Sequence, residues 1–164
     1  MNRFSIVSLL YDLGFLTVPA LRLIEFRGKS GASSHYPNLP AWRAFSKVES
    51  PFWANAYNQF PAFLWHRFNE VHSVAKFGFS SRPTEHLLKQ SPKAFHFIGS
   101  TDCKGWTTIL RVNDAGFTKA NQFKSWIIPK AARKAFHCFG LKLISAKEAK
   151  YHVSVMKISM WEEA

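Results

Sequence analysis

Cysteines, acidic residues and glycine-rich loops are all scarce in this chain, and each scarcity removes a class of protein. The only two cysteines, Cys103 and Cys138, form no CxxC pair and stand beside no histidine at zinc-finger spacing. Neither a structural zinc nor a disulfide framework is therefore expected, and a reducing cytoplasm is the simpler setting. No segment approaches the roughly 20 uninterrupted apolar residues that cross a bilayer. The N-terminal run MNRFSIVSLLYDLGFLTVPALRLIEF is cut by Asp12 and Gly14 and lacks a small-x-small cleavage site, so it reads as folded structure. There is no GxGxxG, no GxxxxGK[ST], no GxSxG and no internal repeat. These absences argue against nucleotide-dependent enzymes and serine hydrolases, and no cofactor is expected.

The shortage of acids is the most telling. Against 10 Asp and Glu stand 22 Lys and Arg, a formal charge of +12 with a pI near 10.0, a self-repulsion that core burial or a polyanionic partner must offset. Apolar residues make up 47% of the chain and aromatics 16%, far from the composition of a disordered chain. A length of 164 residues suits a single domain over 1–164.

The texture changes near residue 90. Upstream, apolar residues recur at helical spacing, giving expected helices over 4–13 and from Thr17 to Arg27. A further pair lies between Ala41 and Ala75, where Trp53, Tyr57 and Phe60 form one stripe and Leu64, Phe68, Val71 and Ala75 another. Trp42 and Trp65 fall off these stripes and are the candidates for a stacking surface. The stretch PTEHLLKQ closes this half as a short helix. Downstream, KAFHFIGS and GWTTILRVND alternate like two strands of a hairpin around STDCKG. A helical region over 118–139 follows, then LKLIS and YHVSVMKISMW as two more strands. The expected class is α+β: a helical half over about 1–90 packed with a small, mainly antiparallel ββαββ unit over about 91–164.

Within that unit, Pro129 at a helix start and Gly140 at its stop would place Lys130, Arg133, Lys134 and His137 on one face, with Ala132, Phe136 and Phe139 on the other. Lys119, Lys124, Lys142 and Lys150 extend the basic surface, and the expected function is sequence-independent contact with the phosphate backbone of RNA or DNA, without catalysis. The alternative is a small metal-independent ribonuclease in which His137 and His152 act as general acid and base and Lys150 stabilises the phosphorane. A third reading is an inhibitor or adaptor whose basic face meets an acidic protein. Three motifs are too short to stand alone. They are a helix-turn-helix cadence before residue 31, a His66–Glu70–His72 cluster, and an ExK element at Glu148–Lys150 with Asp102 or Asp114 upstream. No metal site is expected.

Overall fold

Alternation with a period of two, carried by phenylalanine and β-branched residues, governs the architecture. The computed structural model describes residues 18–47, 52–148 and 152–164. Ten strands form two five-stranded antiparallel sheets. The first contains β1 (Leu21–Leu23), β3 (Phe52–Ala54), β5 (Val74–Ser80), β8 (Phe123–Ile127) and β10 (Ser154–Glu163). The second runs β2 (Gly28–Ala32), β4 (Ala62–His72), β9 (Phe136–Ala146), β6 (Pro92–Ser100), β7 (Thr107–Val112) in spatial order. Among the described residues the helical content is three short 3₁₀ turns, Ala41–Phe45, Glu85–Gln90 and Lys130–Ala132.

The expected α+β class, with its helical first half, is therefore wrong: the chain is a β-sandwich. The second stripe misled because Leu64 and Phe68 belong to both periods. His66, buried at 3% exposure between them, belongs only to the strand period, and β4 turns Ala62, Leu64, His66 and Phe68 inward while Arg67 points out. The described part of the expected helix from Thr17 to Arg27, beginning at Val18, is likewise not helical, since Leu21–Leu23 is a strand paired with β10. The span 4–13 lies outside the described residues. The helix of 129–139 is replaced by a 3₁₀ turn and the first residues of β9, in which Phe139, Leu141 and Leu143 face the core. Gly140 is a strand residue, not a helix stop. A Cβ there would sit 2.2 Å from the Leu64 carbonyl oxygen, so only glycine allows β4 and β9 to approach so closely.

The space between the sheets is filled by rings. Phe77 on β5 stacks on Phe97 of β6 with centroids 4.0 Å apart and planes 6° from parallel, and it also stacks on Trp126 of β8 at 5.4 Å. Phe97 continues the series to Phe139 on β9 at 5.8 Å. Trp126 thus packs inward, on Phe77, Phe79 and Phe95, while Phe123 lies 46% exposed near Trp161.

The connections sort into two ends. At one end, here called apical, the links β3–β4, β5–β6, β7–β8 and β9–β10 each cross from one sheet to the other, and the segment after β2 joins them. At the opposite end lie the β4–β5, β6–β7 and β8–β9 connections. The β6–β7 turn is built around Asp102, whose Oδ1 accepts hydrogen bonds from the backbone N–H groups of Lys104 (2.8 Å) and Gly105 (3.0 Å) and from the Ser100 hydroxyl (3.0 Å). The Gly105 and Lys104 amides, with the Ser100 hydroxyl adding to them, hold its carboxyl at about 2. Cys103, in the left-handed region at φ 59°, is disulfide-bonded to Cys138 on β9. The pairing corrects the expectation of two unlinked thiols, because strands that bring the residues within 5.5 Å (Cα–Cα) need no sequence motif.

Candidate ligand-binding site

Two loops at the apical end are stitched together around a buried asparagine. Asn55, fully buried just after β3, donates from Nδ2 to the Gln59 carbonyl (2.9 Å) and accepts at Oδ1 from the Val153 amide (2.8 Å). Its own carbonyl accepts a hydrogen bond from His152 Nδ1 at 3.0 Å. A carbonyl can only accept, so Nδ1 carries the proton and the neutral imidazole leaves Nε2 as an acceptor. The segment after β2 is tied to the same place, with the Trp53 indole donating to the Ser34 carbonyl (3.1 Å), the Ala56 amide to the Ser34 hydroxyl (3.1 Å) and the Tyr36 amide to the Ala54 carbonyl (2.8 Å).

These bonds set two tyrosines around the histidine. His152 meets Tyr36 edge-on at 4.7 Å and Tyr57 at 5.4 Å, and the tyrosines are 46% and 57% exposed. Asn58, next to Tyr57, adopts φ 55° at the turn and is exposed. An open pair of aromatic faces beside an imidazole acceptor, a phenol pair and a carboxamide can stack on an apolar ring face while hydrogen-bonding its hydroxyl groups.

The residues expected from the sequence do not converge. Lys119 is in the β7–β8 link and Lys124 on β8, where its ammonium donates to the carbonyls of Ala115 and Gly116, each at 2.7 Å, and so serves the loop itself. Lys130, Arg133 and Lys134 lie at the other end. Arg133 is committed to the Ile128 carbonyl (2.8 Å) and to the Glu163 carboxylate. Lys142 is on the outer face of β9, and Lys150 lies outside the described residues. The shared basic helix face does not exist, because the helix does not. His137 borders a cleft of about 300 Å³ with Lys29 and Arg67, on a different part of the molecule from His152, so the two cannot act on one phosphate. Of the stacking candidates, Trp42 is 55% exposed and Trp65 half-buried on the outer face of β4. Tyr36 and Tyr57 carry no local signal of a site: one lies in an irregular loop and the other falls on the apparent stripe of Trp53 and Phe60.

The proposed His66–Glu70–His72 cluster is also dispersed. His72 Nδ1 pairs with Glu162 at 3.1 Å, Glu70 is exposed, and His66 is packed among Phe26, Phe45 and Phe68 with Nδ1 2.9 Å from the Ser30 hydroxyl. Burial drives the His66 pKa down to about 4, against a smaller upward pull from the Arg27 backbone. Between pH 6.5 and 4 the unfolded chain then binds a proton that the folded chain refuses. Stability is full above pH 6.5, falls as the pH drops, and levels off below about 4, with a total loss on the order of 3 kcal/mol. Urea unfolding of the wild type and His66→Phe across this range checks it: the variant should lack this component of the slope, and an identical slope would refute it.

No protein-family model matches the chain, and no curated protein matches it in sequence. Solved structures do match in fold. A family 32 carbohydrate-binding module of Clostridium perfringens NanJ, solved with galactose, superposes with a TM-score of 0.71 at 12% identity, over 87% of this chain and 100% of that one. A fucose-binding module of Streptococcus pneumoniae gives 0.66 at 14% identity, over 87% and 96%. The family 32 module of AlyQ, solved with 4,5-unsaturated mannuronic acid, gives 0.63 at 12% identity, over 80% and 92%. These matches establish the fold as the β-sandwich of family 32 carbohydrate-binding modules. They overturn the nucleic-acid reading, together with its ribonuclease and acidic-partner alternatives, since that reading rested on a helix which the fold replaces with a strand.

Proposed function

We propose that this chain is a carbohydrate-binding module that holds a sugar at its apical loops, between Tyr36, Tyr57 and His152. The observation that carries the reading is the exposed Tyr36–His152–Tyr57 cluster, fixed by the buried Asn55 at the loop end of the sandwich. The relatives in fold, solved with galactose or described as fucose-binding, support it by analogy of architecture. The Cys103–Cys138 disulfide supports a workplace in an oxidising compartment, in place of the cytoplasm expected from cysteine spacing. Among the described residues, no helix is long and apolar enough to cross a membrane.

Titration of labelled protein with galactose, fucose and short oligosaccharides by NMR tests the reading. Shifts should centre on residues 35–36, 55–59 and 152–153. Tyr57→Ala should bind about tenfold more weakly with an unchanged melting temperature, because an exposed ring contributes contact area to the ligand and little to the core. Binding unaffected by Tyr57→Ala and His152→Ala, or no binding across a broad glycan panel, would remove this site.

A further inference from the structure

The outer face of the β2–β4–β9–β6–β7 sheet carries a second surface whose chemistry the apical site does not use. Strand register arranges it in three rows across the sheet. The first is Phe63, Lys142, His96 and Arg111, on β4, β9, β6 and β7 in turn. The middle row is Gly31, Trp65, Gly140, Ile98 and Thr108, and the third is Lys29, Arg67, Cys138 and Ser100. Glycines on both sides of Trp65 make the middle row low. A Cβ at Gly31 would lie 2.1 Å from the indole, so the ring rests over that backbone. Trp106, carried by the β6–β7 turn, comes to 6.4 Å from Trp65, and the turn is tied down on β9 by the Cys103–Cys138 bond. The middle of the face is thus a floor of two half-exposed indoles.

Its walls are cationic. Lys142 and Arg111 stand on one side and Lys29 and Arg67 on the other, and no Asp or Glu occurs in any of the three rows. None of these four side chains is paired with a carboxylate among the described residues. The Lys142 ammonium sits 5.8 Å from the Phe63 ring, and His96, between Lys142 and Arg111, is shifted down by burial and then by these two charges. With strands about 4.8 Å apart and alternate residues about 6.7 Å apart, the face spans roughly 19 Å across the five strands and roughly 13 Å between the wall backbones. Its third row is open at Lys29 and Arg67 and closed at Cys138 and Ser100, which are buried where the disulfide-bonded β6–β7 turn, carrying Asp102, lies against β9 and β6.

We propose that this groove binds an acidic polysaccharide lying across the strands, with sugar rings on the Trp65–Trp106 floor and their carboxylate or sulfate groups reaching the lysine and arginine walls. An aromatic floor suits the C–H face of a pyranose. Unpaired cations on both sides suit a polymer with a charge on each sugar, and clustering exposed like charges has no counterpart in fold stabilisation. The proposal goes beyond the apical reading and does not depend on it, since the two surfaces share no residue.

Affinity electrophoresis and calorimetry with polygalacturonate, its fully methyl-esterified form, chondroitin sulfate and heparin provide the test. At least one acidic polymer should bind, with an affinity that falls as salt rises, and for the uronate polymer the neutral ester should bind at least tenfold more weakly. Lys142→Gln/Arg111→Gln/Arg67→Gln should lower affinity about tenfold without altering the apical response to a neutral sugar, and Tyr57→Ala should leave acidic-polymer binding intact. A Lys29→Gln/Arg67→Gln pair gives a second reading should the triple variant fold poorly. Absence of binding to all three acidic polymers, full affinity in both charge variants, or equal binding of single-stranded DNA of matched length would overturn the proposal. An apical neutral-sugar response surviving those outcomes would leave the loop site standing.

Discussion

Phe77→Ala should lower the free energy of unfolding by about 3–5 kcal/mol, the range found when a large aromatic is removed from a closed core. Phe77 is fully buried and is the ring through which the two sheets meet: it stacks on Phe97 across the interface and on Trp126 beside it, and meets Phe95 edge-on at 6.0 Å. Truncation strands three neighbouring rings at once. Because they are held on strands of different sheets, they cannot close over the space without moving a backbone. For a domain whose total stability lies between about 5 and 15 kcal/mol, such a loss consumes a large share. Guanidinium unfolding of the wild type, Phe77→Ala and Phe77→Leu measures it. Leucine should recover more than half the loss by refilling volume, and a Phe77→Ala protein within 1 kcal/mol of wild type would show that the stack does not join the sheets.

The same ring shows how far the sequence could be read. Phe95 and Phe97 alternate around His96, Leu110 and Val112 around Arg111, and Ile158 and Met160 around Ser159, and this local alternation made β6, β7 and β10 legible as strands. Around residues 53–75 the chain is so rich in apolar residues that both faces of a strand carry them. Leu64 and Phe68 then fit a period of 3.6 as well as a period of two. Only the fate of His66, Trp65 and Phe63 separates the two, and that is tertiary information. The basic stretch from Lys130 to Lys134 misled in a different way. Cations at i, i+3 and i+4 mark a helix face only if a helix forms, and Pro129 here opens a single 3₁₀ turn ahead of a strand that needs Phe139, Leu141 and Leu143 inward. The candidate site was less legible still. Tyr36, Tyr57 and His152 come from three separate connections, and no local spacing foretells that Asn55 draws them together. The positive charge was legible as a quantity, while its distribution into rows on one sheet face required the register.

Reduction of the Cys103–Cys138 bond should cost about 4 kcal/mol. The two residues are separated by 35 positions, and the loop-closure entropy released to the unfolded chain for a loop of that size comes to nearly 4 kcal/mol at room temperature. Cys138 is fully buried on β9 and the β6–β7 turn is already held by Asp102, so most of the effect should lie in the unfolded state. Two observations follow from that location, and a third reads the smaller share that falls on the native state. Thermal unfolding should move down on adding a reductant, and the Cys103→Ala/Cys138→Ala protein should show the same midpoint with and without it. The dependence of unfolding on guanidinium should steepen in the double variant, because the freed chain exposes more surface. The near-ultraviolet signal of the Trp65–Trp106 pair, 6.4 Å apart, should weaken as the turn carrying Trp106 loosens over the sheet. Two thiols titrating in the native, air-oxidised protein, or a melting temperature indifferent to reductant, would contradict the bond. A lowered melting temperature with an unchanged tryptophan signal would assign the whole effect to the unfolded chain and leave Trp106 held by Asp102 and the sheet alone.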